Sequence, residues 1–321
     1  MQPGGAREPG ARTAPAGQRA GARRRAVRRR RAILACGLAG AAVLAAALLS
    51  GGGGHGHRRP PLALASPLTA GSSARSAGQS AGAAPREQAA ESNQVRALIA
   101  LGKPIYCAAR RGNEVALTFD DGPGPYTRLV LAKLRKHDVS ATFFDVARNI
   151  PLLPQATRQE RAIGGVGDHT FTHPLLTGLA PAEAETEIAH AQAALQLSSG
   201  GPVFLFRPPY GGRSDAIDGI ARAHGLLEIL WTVDSADSLG ANYAQIERNV
   251  IAGLRGGAII LMHENHGQTV RALLGLFAAL ARRHVRPVSV AQLLTDDPPS
   301  AAQVRAGPLG CGLGRAAITG D

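Results

Sequence analysis

Aromatic residues and lysine are both scarce in this chain of 321 residues: it has 7 Phe, 4 Tyr and 1 Trp, and its lysines are Lys103, Lys133 and Lys136. So few rings, none interleaved with the arginines, exclude a nucleic-acid surface that stacks bases on aromatic side chains. Cysteine is rarer still, at three. Cys36 lies in an apolar run, so at most one disulfide, Cys107 to Cys311, is open to the rest of the chain. Acidic residues are also in deficit, 23 Asp+Glu against 36 Lys+Arg, for a net charge of +13. Such an excess ordinarily points to nucleic acid or an anionic membrane. Its location decides. Residues 1–90 hold 14 Arg against Glu8 and Glu87, or +12, and residues 91–321 hold 22 basic and 21 acidic groups, or +1. The basicity belongs to a leader. An apolar content of 45% excludes wholesale disorder.

Residues 1–31 are rich in Gly, Pro, Ala and Arg without apolar periodicity, and are expected to be a disordered basic N-terminus. The arginines Arg23–Arg25 and Arg28–Arg31 abut an uncharged apolar run, residues 32–49. As a helix this run would rise about 27 Å, near the ~30 Å hydrocarbon core, with the preceding charge held on the cytoplasmic side. A retained signal anchor, a cleaved Sec signal and a twin-arginine signal around Arg30-Arg31 all fit. The run exceeds the usual signal-peptide length and no A-x-A site follows, which favours the anchor. Residues 50–112 are expected to be a flexible linker and lead-in, and residues 298–321 a disordered tail. Either location, anchored or secreted, is extracytoplasmic. There Cys107 and Cys311 could be oxidised to a disulfide or remain two free thiols.

From residue 113 to 297 short apolar runs alternate with amphipathic stretches. Strands are expected at Glu114–Phe119, Ala141–Phe144, Val203–Phe206, Leu226–Val233, Ala258–His263 and Arg286–Val288. Helices are expected near Thr127–His137, Pro181–Leu197, Ser214–His224, Tyr243–Leu254 and Gln268–His284. Continuous apolar strands alternating with helices describe a parallel sheet covered by helices. The span suits an α/β fold of the distorted or incomplete (β/α) barrel type, in which chemistry sits where strands end.

Polar residues interrupt the apolar runs at those ends. The first strand leads to Asp120-Asp121-Gly122-Pro123, the run ending at Phe206 leads to Arg207-Pro208-Pro209-Tyr210, Trp231-Thr232-Val233 leads to Asp234, and Ile260-Leu261-Met262 leads to His263. His169 and His173 are spaced so that one helical turn would put both imidazoles on one side. Asp120 or Asp121 could complete a two-histidine, one-carboxylate set with an open position for water, the pattern of a catalytic metal. Arg207 ends a very apolar strand, where an unpaired guanidinium is costly, so a carboxylate partner is expected, with Asp120 the candidate. Asp234 beside His263 would raise the imidazole pKa and suit it to act as an acid.

Five motifs in order resemble the polysaccharide deacetylases with a NodB-homology domain, carbohydrate esterase family 4, across roughly residues 113–297. They are Thr118-Phe119-Asp120-Asp121-Gly122-Pro123, His169-Thr170-Phe171-Thr172-His173, Arg207-Pro208-Pro209-Tyr210, Asp234, and Leu261-Met262-His263. The resemblance implies that Asp120 is a general base oriented by Arg207, and that Asp121, His169 and His173 hold a divalent metal, zinc or else cobalt. It further implies that the Tyr210 backbone N–H stabilises an oxyanion, and that His263, tuned by Asp234, is the general acid. Pro208, Pro209, Tyr210, Trp231 and Leu261 would line the substrate pocket. The implied enzyme is a monomeric N-deacetylase of N-acetylglucosamine-containing envelope glycan, peptidoglycan or chitin-like, that releases acetate. An O-acetyl xylan esterase, or a glycan-binding module that kept the fold without the chemistry, are the rival expectations. With Trp231 the sole tryptophan, a separate sugar-binding module is not expected. Three departures stand out: Ser238 follows Asp237 where the family has Trp, Asp168 replaces a frequent Asn, and Ala147 replaces a Gly.

Overall fold

The computed structural model describes residues 93–313. The basic N-terminus, the apolar run 32–49 and the linker up to residue 92 lie outside the described residues. Among the described residues no helix is long and apolar enough to cross a membrane.

Eight parallel strands form one sheet: β1 (Glu114–Gly122), β2 (Thr142–Asp145), β3 (Gly165–Asp168), β4 (Leu205–Phe206), β5 (Leu227–Glu228), β6 (Val233–Asp234), β7 (Ile259–His263) and β8 (Arg286–Val288). The order is β5-β4-β3-β2-β1-β7-β6, and β8 pairs with the start of β1. The two edge strands of this path, β5 and β6, are consecutive in the chain. A flat sheet would hold them about 29 Å apart, at ~4.8 Å per strand. The link from Glu228 to Val233 reaches at most about 18 Å. The sheet must therefore curl, and an incomplete barrel results, as the alternation of strands and helices leads one to expect. The expected strand Leu226–Val233 is thus two strands at opposite edges.

Helices α1 (Thr127–Lys136), α2 (Ala156–Ile163), α3 (Pro181–Ser199), α4 (Asp215–Ala223), α5 (Tyr243–Gly253) and α6 (Gly267–Arg282) accompany the sheet. Helix α6 buries Val270, Leu273, Leu276, Phe277 and Leu280, each contributing about 1.5–3 kcal/mol on full burial. On β1, Val115, Leu117 and Phe119 join the same core as the α6 residues, whereas Ala116 joins the second core, inside the curl. Alternation along the strand then assigns Thr118 and Asp120 to the inner face as well. That inner face carries the site.

Strand β3 and helix α2 escape the periodicity reading. β3 reads Gly-Val-Gly-Asp, with one apolar residue, and Gly167 is required because a Cβ there would lie 2.5 Å from the Phe144 ring. The segments expected to lack structure at either end of the body are ordered parts of it. Residues 93–99 are helical, and Val95, Leu98 and Ile105 are buried in the inner core. Helix α7 (Val290–Asp296) is followed beyond residue 297 by α8 (Ala301–Arg305) and a 3-10 turn (Gly307–Cys311). Val304 is buried, and Cys311 forms a disulfide with Cys107. Apolar anchors two or three residues apart in a Gly/Ala/Pro background are too sparse to register as a pattern. The remaining tail residues, 314–321, lie outside the described residues.

Candidate active site

The two aspartates at the end of β1 reach the same face because the strand bulges between them. Asp120 is level with Phe144 of β2 and Gly122 with Asp145, which makes Asp121 the extra residue. Its φ of 71° is left-handed. A bulge re-aims a side chain that alternation would otherwise send to the opposite layer. Asp120 is buried, and Arg207 Nη1 donates to its Oδ1 at 2.6 Å and to Thr118 Oγ1 at 2.8 Å. Arg207 is fully buried, with its Nε on the Ile229 carbonyl and its guanidinium 4.1 Å from the Phe144 ring centre. The expected Asp120–Arg207 pair is therefore present. Burial raises the Asp120 pKa, with Arg207 and His263 working against the rise.

Asp121, His169 and His173 converge. Asp121 Oδ1 lies 3.2 Å from His173 Nε2 and 3.6 Å from His169 Nε2, and the two Nε2 atoms are 3.2 Å apart. Ligands about 2.0–2.1 Å from a tetrahedral metal are separated by roughly 3.3–3.4 Å, so this donor set fits a divalent ion. His169 Nδ1 lies 2.6 Å from the Arg207 carbonyl, which fixes Nε2 as the free ligand nitrogen. Burial lowers the His169 pKa to about 3, so the imidazole is neutral, the form in which a histidine can hold a metal. The expected helical turn between the histidines is not formed. Instead an irregular loop has left-handed residues at Thr170 and His173. Asp168 Oδ1 accepts from Thr170 N, Thr170 Oγ1 accepts from His173 N, and Glu187 accepts from the Thr172 backbone and hydroxyl. A polar scaffold, not a helix, sets the spacing. Burial pushes Asp168 well above the usual carboxylate range, against the hydrogen bond it accepts from Thr170 N.

On the other side His263, level with Asp120 in the β1–β7 register, donates from Nδ1 to Asp237 Oδ1 at 2.6 Å. Asp237 Oδ2 accepts from the His263 backbone N–H and from Thr269 Oγ1. Burial alone would lower the His263 pKa, but the Asp237 bond and the charges of Asp120, Asp237 and Asp121 raise it to about 9. The expected partner, Asp234, is not the one. It is level with Leu261, two residues short of His263, is exposed, and accepts from the backbone of Ala236 at 2.7 Å. A left-handed turn at Ala236 brings the chain back so that Asp237 reaches the histidine. The signal was the Asp-x-x-Asp spacing, whose second carboxylate is the buried one. Asn265, which donates to Asp121 Oδ2 at 3.0 Å, carried no such signal.

The rim brings together most of the expected pocket residues. Tyr210, left-handed at φ 62° and 70% exposed, packs edge-on to His173 with ring centres 4.8 Å apart. Trp231 lies against Gly211 and 5.6 Å from the Arg207 guanidinium, Leu261 is buried next to His263's strand face, and Pro208 and Pro209 are buried behind Tyr210. Five left-handed non-glycine residues, Asp121, Thr170, His173, Tyr210 and Ala236, border this one cleft. Such conformations persist where surroundings impose them and cluster at functional sites.

A carboxylate–imidazole cluster with metal-ligand geometry lies between a buried aspartate–arginine pair and a histidine–aspartate pair, at the strand ends of a curled parallel sheet of the (β/α) barrel type. The sequence profile of the family described as polysaccharide deacetylase matches residues 108–229. The chain is 35% identical over 205 residues to a chitooligosaccharide deacetylase of Bradyrhizobium sp. (strain ANU 289), covering 56% of this chain and 93% of that one. It is 36% identical over 167 residues to a peptidoglycan-N-acetylglucosamine deacetylase of Listeria monocytogenes, covering 51% of this chain but only 35% of that one. Its structure is similar to a family 4 carbohydrate esterase from Streptomyces lividans in complex with acetate (TM-score 0.52, 34% identity, 54% of this chain and 91% of that one). The chain belongs to the polysaccharide deacetylase family, the enzymes of carbohydrate esterase family 4.

Proposed function

We propose that the chain removes N-acetyl groups from N-acetylglucosamine units of a cell-envelope glycan, peptidoglycan or a chitin-like polymer, and releases acetate. The carrying observation is the pairing of Asp120 with Arg207 and of His263 with Asp237 on opposite sides of the Asp121/His169/His173 set. A divalent ion held by Asp121, His169 and His173, zinc or cobalt by its nitrogen-rich donors, would supply Lewis acidity toward the acetyl carbonyl and a water. Asp120, oriented by Arg207, takes the water's proton. The Tyr210 backbone N–H at the rim steadies the developing negative oxygen. His263, charged at neutral pH, gives its proton to the leaving amine. Pro208, Pro209, Trp231 and Leu261 form the floor and wall against which the sugar packs.

Relatives named for chitooligosaccharide and peptidoglycan substrates support this reading, and the Cys107–Cys311 disulfide suits an oxidising, extracytoplasmic location. Anchoring through residues 32–49 and action as a monomer are part of the same proposal. The test is acetate release by the metal-loaded protein from peptidoglycan, chitooligosaccharide and acetyl-xylan in parallel. Release from either of the first two is expected, and release from acetyl-xylan alone would make the chain an O-esterase. Asp120→Asn should lower release by about 10²–10⁴-fold with metal content unchanged. Near-full activity in that variant would remove Asp120 from the role of base.

A further inference from the structure

Behind the end of β1, on the side facing the helices, three more acids meet. Asp145 ends β2, Glu160 sits on α2 and Glu264 follows β7. Each is fully buried, and one carboxylate oxygen from each lies within 4.8 Å of the others. Among the described residues no other side chain donates to either oxygen of Asp145, either of Glu160 or Oε2 of Glu264, and Asp145 and Glu160 meet only each other, as two carboxyls sharing a hydrogen bond. Among the described residues the donor that reaches the group is Thr127 Oγ1, 2.9 Å from Glu264 Oε1. Among the described residues no Lys, Arg or His forms an ion pair with any of the three. Space is kept at the centre by Gly122, where a Cβ would lie 1.6 Å from Glu264 Oε1 and 2.9 Å from Asp145 Oδ1. A cavity of about 290 Å³ lined by Thr127, Arg128, Leu131, Leu153, Ala156 and Gln159 reaches Thr127, the residue that donates to Glu264.

We propose that Asp145, Glu160 and Glu264 are a second cation site that takes a hard divalent ion, Mg²⁺, Mn²⁺ or Ca²⁺, through carboxylate oxygens alone. Buried carboxylates require a countercharge or protons. A proton shared by Asp145 and Glu160 would satisfy one contact and leave Glu264 Oε2 still without a donor, whereas a divalent ion satisfies several oxygens together. Burial drives all three pKa values upward, Asp145 to about 6, which records the same missing countercharge. An all-oxygen set selects hard ions, in contrast to the imidazole-rich set on the other side of β1. The two sites would therefore sort metals by ligand chemistry. This site does not depend on the catalytic reading, since none of its ligands belongs to the active site.

The test uses the full chain carrying His169→Ala and His173→Ala, which removes the imidazole ligands. After equilibration separately with Mn²⁺, Mg²⁺ and Ca²⁺ and desalting, metal analysis should find one ion per chain in at least one arm. The thermal transition should rise with that ion's concentration. Adding Glu160→Gln, or Glu264→Gln where the first variant does not fold, should weaken binding about 10-fold or more. No retained ion and an unmoved transition in the folded double variant would overturn the site and leave protons as the countercharge. An ion that persists at undiminished affinity in the Gln variants would overturn it equally.

Discussion

Two buried histidines in one cleft are driven in opposite directions. His169 is pushed down to about 3 and His263 up to about 9. Burial lowers both. The difference lies in what each ring nitrogen meets. His169 gives its Nδ1 to a neutral carbonyl, that of Arg207, and the His173 and Arg207 charges oppose a proton on it. His263 gives its Nδ1 to an ionised carboxylate, Asp237, whose own pKa is lowered although burial alone would raise it. One imidazole is kept neutral and the other charged at neutral pH. Opposed environments of this kind mark the division between ligand and acid.

The largest break in this comparison is deletion of each ring. His169→Ala should lose bound metal and acetate release together. His263→Ala should keep its metal and lose release by about 10²–10⁴-fold. Metal analysis beside an acetate assay separates the two, and loss of metal in the His263 variant would contradict the division. Next in size are the two aspartates. Asp237→Asn removes the carboxylate that holds the proton on His263, so the alkaline limb of the kcat/KM profile should move from near 9 toward the ordinary 6.5. Asp234→Asn should leave that limb within a few tenths of a unit, because Asp234 is turned toward its own loop. A matching shift in both variants would restore Asp234 to the role the sequence suggested.

Stability should respond at opposite ends of the pH scale. The raised His263 pKa contributes stability that is complete below about 6.5 and disappears as pH rises through about 9. The lowered His169 pKa works the other way, since the unfolded chain gains a proton below about 6.5 that the folded ring refuses until about 3. In Asp237→Asn, melting temperatures from pH 3 to 10 should lose the alkaline decline while the acid decline stays.

The polar groups at strand ends were legible in the sequence because each ended a long apolar run. Asp120, Arg207 and His263 follow Leu117-Thr118-Phe119, Leu205-Phe206 and Ile260-Leu261-Met262, so a buried charge announced itself. Asp237 announced itself only through its spacing from Asp234, as it follows a loop, and burial and the bond to His263 are what distinguish it from the exposed Asp234. The histidine pair was legible in spacing but not in conformation, because left-handed Thr170 and His173 depend on backbone N–H bonds to the side-chain oxygens of Asp168 and Thr170 that no periodicity encodes. The curl of the sheet was hidden in the run Leu226–Val233, which reads as one strand and is two. The strands β4 and β5, two residues each, are much shorter than the apolar runs that contain them, because their pairing with neighbours and not the pattern sets their ends.

The smallest expected effect concerns Asn265, and it discriminates most finely between the two sides. Its amide donates to Asp121 Oδ2 and so leaves Oδ1 aimed at His169 and His173. It makes no bond to Asp237 or His263. Removing a group that orients a metal ligand typically weakens metal affinity about 10- to 100-fold. Asn265→Ala should therefore fall at the lower end of that range, because Asp121 keeps its left-handed backbone and its carbonyl still accepts from Asn149. The alkaline limb set by His263 should not move. Metal titration and a pH profile on the same variant give the two readings. A variant that binds metal normally but shifts the alkaline limb would mean that Asn265 acts through its neighbour His263, and the separation of the cleft into a ligand side and an acid side would fail at the residue where the two strands meet.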